Sequence, residues 1–153
     1  MLFPPEKSPK ENHMFGKLFA SATVAHAHCD LYCGVYDPAQ AKIEALSVVK
    51  TAKKYAESDD DVFRARCISI KEERAEETKH HLMVLWADFF APAHFEEFPQ
   101  LHELFWNAIH QAGEAKKSMD PTVGERLVGY IDEIAEIFWK TEKAQAMGVY
   151  PPG

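Results

Sequence analysis

Residues 62–90 read VFRARCISIKEERAEETKHHLMVLWADFF, a stretch with no glycine and no proline. Leu82, Leu85, Trp86 and Phe89 return at helical intervals, and nowhere does the segment alternate with the period of a strand. The pattern predicts a helix from Val62 to about Phe90, with a charged middle from Lys71 to Lys79 between apolar ends. A helix of that length needs partners of similar length, and the flanking sequence supplies them.

On the N-terminal side, Ser58-Asp59-Asp60-Asp61 interrupts the chain and places acidic groups where a helix start favours them. Before that, Ala39, Ile43, Leu46 and Val49 recur at helical spacing, with Lys42, Lys50, Lys53 and Lys54 mostly off the stripe. Asp37-Pro38 opens this segment as a cap followed by a proline in the first turn. On the C-terminal side, Pro92 ends the long helix and FAPAHFEEFP forms an aromatic connection up to Pro99. Leu101, Leu104, Phe105, Ala108, Ile109 and Ala112 make a third stripe, with Gly113 near its end. Asp120-Pro121 repeats the cap-then-proline start, and Val123, Leu127, Ile131, Ile134 and Phe138 make the fourth. The tail MGVYPPG reads as frayed. Four helices with short connections predict an all-α fold, an antiparallel up-and-down four-helix bundle.

At 153 residues the chain is one domain with enough length to bury a core. A formal net charge of −7, with no Lys/Arg block, argues against nucleic-acid binding. No apolar run approaches the length of a membrane span. Three cysteines, two of them close together, are too few for a disulfide framework and point to thiolates in a reducing compartment. The expected location is therefore cytoplasmic. Residues 1–27 carry three early prolines and no sustained helical period. They read either as a disordered arm or as a pro-segment cut between Ala27 and His28, where Ala25-His26-Ala27 has a small-x-small form. As an export signal the segment is poor, because Glu6 and Glu11 dilute its basic region. Export is the alternative location. The domain division is then a leader at 1–27 and a bundle domain at 28–153, its hook at 28–36.

Between leader and bundle stands His28 to Pro38, HCDLYCGVYDP. Thiolate sulfur beside imidazole nitrogen suits nickel, copper or zinc. Cys29 and Cys33 have three residues between them, not the two of a zinc knuckle or a thioredoxin-like pair, and no second CxxC or HxxxH is near. The imidazole and main-chain nitrogen of His28 and the amide of Cys29 can reach one ion together. A cut before His28 would add an α-amine. Two nitrogens and two sulfurs in a plane suit a d⁸ ion such as Ni(II), and such electron-rich donors stabilise its higher oxidation state.

Other metal-type residues carry less. Cys67 lies within a helix and reads as a small buried hydrophobe. His80 and His81 are adjacent and face different directions, His81 as a core or interface residue; His94, His102 and His110 read as structural. Glu72 to Glu77 read as a solvated or subunit-contact face. Glu77-Thr78-Lys79-His80 offers one Glu-x-x-His, and a carboxylate di-iron site needs two.

The string resembles the hook of the nickel-containing superoxide dismutases, whose mature N-terminus follows the form HCDxPCGxYDP. The similarity continues through PAQAKIEA, IKEERAE, KHH, LW, HFE, LH and IFW, and so covers residue 28 to about residue 144. The resemblance implies a four-helix bundle assembled as a homohexamer, a pro-segment removed by a processing peptidase, and one nickel ion per subunit. It implies an antioxidant enzyme that disproportionates superoxide by Ni(III)/Ni(II) cycling. By position, His28 would bind through its amine and side chain, Cys29 through amide nitrogen and sulfur, and Cys33 through sulfur. Glu44 and Arg74 fall where the family orients the histidine, Tyr36 where a tyrosine guards the approach to the metal, and Asp30 where a residue shapes the hook. Tyr32 departs from the family proline, which follows a cis peptide bond; before a non-proline residue that form costs roughly 2.5–4 kcal/mol. The alternative is a non-catalytic nickel- or copper-binding bundle, its hook altered at Tyr32 or left unprocessed.

Overall fold

The computed structural model describes residues 34–147. The leader, the hook positions His28, Cys29, Asp30, Tyr32 and Cys33, and the tail beyond Met147 lie outside the described residues.

Four long helices, α1 (Ala39–Ala56), α2 (Asp61–Val84), α4 (Leu101–Lys117) and α5 (Pro121–Lys140), are accompanied by two short ones, α3 (Pro92–Glu97) between α2 and α4 and α6 (Glu142–Met147) after α5. Helix α1 packs mainly on α2 and α5, and α4 on the same two, so the four close into a bundle. Side-chain contacts give the directions. Lys42 pairs with Asp132 and Lys53 with Glu125, so α5 descends as α1 rises. The Arg64 guanidinium lies over the Tyr55 ring, and Glu44 meets Arg74 farther along. Trp86 bonds to His102 while Glu76 reaches Lys116. Gln111 donates to the Val123 carbonyl. Every neighbouring pair is antiparallel, as the short connections require.

The helix starts follow the expected chemistry. Asp60 accepts the Phe63 amide and Asp120 the Thr122 amide; Asp37 Oδ1 accepts the Ala39 amide at 2.7 Å just ahead of α1. The buried face of α5 is the predicted stripe, Val123, Leu127, Ile131, Ile134 and Phe138.

Helix α1 departs from the reading. Its buried face is Ala41, Ala45, Val48, Val49 and Ala52, while Ile43 is 60 % exposed and Leu46 38 %. Small side chains let α1 approach its neighbours closely. At the crossing with α5, a Cβ on Gly124 would stand 2.8 Å from Val49 Cγ2. The expected aromatic loop after α2 is also more structured. The helix widens into a π turn over Leu85–Phe89, closed by the Phe90 amide on the Leu85 carbonyl. The chain then extends through Ala91, as a residue before proline must, and Pro92 starts α3.

Lys71, which opens the charged middle of α2, is only 2 % exposed. Its Nζ donates to the carbonyls of Ala115, Lys116 and Ser118 at 2.8, 2.8 and 2.9 Å, and so caps the C-terminal end of α4. Burial pushes the Lys71 ammonium below the usual lysine range, and the Glu72 charge pulls it partly back.

Candidate metal centre

Gly34 directly follows Cys33 and sits at φ +75°, a left-handed conformation that favours glycine. Two residues later Tyr36 is 6 % exposed, its ring edge-on to Phe89 with centroids 5.7 Å apart. Phe89 in turn packs on Phe138 and Phe90. This cluster anchors the chain between the hook and α1 to the end of the bundle where the π turn lies. The π turn bears on this, because π segments re-aim side chains and often mark functional positions. Here it ends on Phe89, against which Tyr36 rests.

Arg74 on α2 donates from Nη1 to Glu44 Oε2 on α1 at 3.0 Å, and from Nη2 to Glu73. The Glu73 hydrogen bond foremost, with help from Glu44, holds the guanidinium above its usual value against the opposing effect of burial. Thr78 Oγ1 donates back to the Arg74 carbonyl, fixing the local turn. The structure thus joins two of the predicted site residues directly. The third, Tyr36, belongs to the aromatic cluster. Val35, between Gly34 and Tyr36, is exposed.

Three of the described histidines, His94, His102 and His110, make packing and hydrogen-bond contacts. His94 Nδ1 accepts the Ala91 amide and its ring lies parallel to Phe89. His102 accepts from Trp86 Nε1 and stacks on Phe95, while His110 stacks on Trp106. Cys67 is buried, as expected. Among the described residues no three His, Cys, Asp or Glu side chains form a metal-holding group. No described helix is long and apolar enough to cross a membrane.

Lys143 on α6 was not anticipated. Its Nζ donates to the Phe89 carbonyl at 2.9 Å and lies 4.5 Å from the Phe89 ring centre and 5.4 Å from that of Tyr36. No motif marks it in the sequence. It comes to Tyr36 because Thr141 ends α5 in extended backbone and the chain turns back into α6.

The chain is similar to known proteins of one family. The family profile described as nickel-containing superoxide dismutase matches residues 23–142. The protein of Streptomyces coelicolor named superoxide dismutase [Ni] is 50% identical over 131 residues, which span 86% of this chain and all of that protein. That of Streptomyces seoulensis is 52% identical over the same shares. Among solved structures, a native nickel superoxide dismutase superposes with a TM-score of 0.73 at 51% identity, covering 75% of this chain and 99% of the other. A nickel-containing superoxide dismutase with ligation corresponding to the oxidized state gives 0.74 at 54% identity, over 76% and 100%.

Proposed function

This chain belongs to the nickel-containing superoxide dismutase family, and we propose that it disproportionates superoxide to dioxygen and hydrogen peroxide with nickel held by His28, Cys29 and Cys33. The observation that carries the reading is the ordered donor string HCDLYCGVYDP inside a match to the family profile over residues 23–142 and to the whole length of its relatives.

The donor chemistry fits the ion: two thiolates are soft, electron-rich ligands, and an imidazole, a main-chain amide and, after cleavage, an α-amine add nitrogen donors. Bound there, nickel supplies a one-electron couple able to take an electron from one superoxide and give one to another. The protein's own part is to fix the donors and shape the approach. Gly34 lets the chain turn directly after Cys33. Tyr36, buried against Phe89, fixes the distance from that turn to the bundle and walls the approach. Glu44, itself held by Arg74, orients the His28 imidazole, which sets ring direction and donor strength. Asp30 shapes the hook between its two cysteines.

The leader 1–27 is cut before His28 by a processing peptidase, giving the free amine. The small-x-small form Ala25-His26-Ala27 just ahead of the donor string supports this. The mature subunits assemble as a homohexamer in the cytoplasm. Exposed Ile68, Ile70 and Met83 on α2, with Trp86 just beyond it and Trp106 on α4, provide apolar surface for such contacts. Mass spectrometry of the protein from its native host tests the reading. A chain starting at His28 with about one nickel per subunit is expected; a chain retaining Met1 and dismutating superoxide would overturn it. Light scattering of the same sample gives the subunit number.

A further inference from the structure

Superoxide is an anion, and the chain carries a formal charge of −7, so long-range attraction must come from a local cation. Five cations are committed to carboxylates: Lys42 to Asp132, Lys53 to Glu125, Arg74 to Glu44 and Glu73, Lys116 to Glu76 and Lys117 to Glu114. Lys71 is buried under α4. Lys143 differs from all of these. Among the described residues no carboxylate lies within ion-pair distance of it, and its ammonium is held by a neutral carbonyl and two aromatic rings. The Phe89 carbonyl takes one of its three N–H groups, leaving donors for an anion.

Its place matters as much as its charge. Lys143 Nζ is 5.4 Å from the centre of the Tyr36 ring. Three peptide links separate Tyr36 from Cys33, so their Cα atoms are no more than about 11 Å apart whatever the path. Adding the tyrosine side chain and the step to the ammonium, the charge stands at most about 20 Å from Cys33, inside the Debye length of about 30 Å at 0.01 M salt, so at low salt it acts on an anion approaching that end of the hook. We propose that Lys143 is the positioning cation that draws superoxide to the Tyr36 side of the hook, an inference that rests on the dismutase reading. The Phe89 carbonyl and the aromatic faces of Tyr36 and Phe89 hold the ammonium in place without neutralising it.

The test compares nickel-loaded protein starting at His28 with its K143M, K143R and K54M variants. Lys54 is exposed near the far end of α1, about 23 Å along the helix from Ala39, and removes the same charge. Nickel content and Tm are measured for each. The second-order rate with superoxide is followed by stopped flow from about 10 to about 300 mM salt. In K143M it falls roughly two- to tenfold at low salt and the deficit closes as salt rises; K143R and K54M keep the wild-type rate and salt slope. In nickel-free protein, azide titration followed by NMR shifts the Tyr36 and Phe89 ring signals in wild type, K143R and K54M, and at least severalfold less in K143M. A K143M deficit equal at all salt concentrations, or an unchanged azide response, overturns the proposal. An inactive nickel-loaded wild type counts instead against the dismutase reading, so the two failures are told apart.

Discussion

Arg74 Nη1 lies 3.0 Å from Glu44 Oε2, so a cation in the middle of α2 holds a carboxylate on the first half of α1. Both side chains are partly buried, at 30 % and 19 % exposure, which shields the pair from the screening that weakens surface ion pairs. The consequence is positional. A carboxylate with its guanidinium partner fixed has one oxygen committed and its direction set.

If Glu44 orients the His28 imidazole, its removal should cost metal retention before it costs fold. E44A and R74M are expected to keep their helical circular dichroism and lose about 10–100-fold in nickel affinity or activity. Nickel retained against a graded chelator series gives the measurement. Wild-type retention in E44A would remove Glu44 from the site.

Lys71 predicts a stability effect unconnected with chemistry. K71M keeps the length of the side chain and strips the donor from three carbonyls at the end of α4. The expected loss is about 2–3 kcal/mol in urea unfolding of the nickel-free protein. An unchanged midpoint would mean that water replaces the ammonium.

The two glycines of α5 with contrasting surroundings should respond in opposite ways. A Cβ at Gly129 meets nothing within 4 Å, so G129A should gain up to about 1 kcal/mol from helix propensity. At Gly124 the same Cβ presses on Val49 Cγ2 at 2.8 Å and Val48 Cγ1 at 3.3 Å, both on stiff β-branched side chains. G124A should lose that gain and more, because overpacking costs about 1–3 kcal/mol. Parallel thermal melts compare them.

Asp120 gives a pH signature. Hydrogen bonds from Thr122 hold its carboxyl below the ordinary 3.8. The unfolded chain therefore binds the proton first as pH falls, so the cap's stabilisation is whole above 3.8 and is lost as pH drops through the lower folded value. D120A should lower Tm at neutral pH, with the difference from wild type closing in acid. D120N, still able to cap, should sit between them at neutral pH.

How much of this could be read beforehand depended on side-chain size and on reach. The α5 stripe was legible because Val123, Leu127, Ile131, Ile134 and Phe138 are large and fall on one face. The α1 face was misread because its core contacts are alanines, which carry little hydrophobic signal, while Ile43 and Leu46 look outward. Lys71 could not be identified as buried, since its acceptors lie more than forty residues away. The π turn and the approach of Lys143 to Tyr36 likewise depend on where α6 returns. In the site, the hook's donors lie outside the described residues, and Glu44 and Arg74 were singled out by resemblance. Their hydrogen bond needed coordinates.

The central claim is that Cys29 and its neighbours hold a redox-active nickel in a chain beginning at His28. The direct measurement is superoxide dismutation by that chain, loaded with nickel, beside its C29S variant. The account predicts activity in the parent with about one nickel per subunit, and loss of activity in C29S. Normal activity in C29S would contradict it.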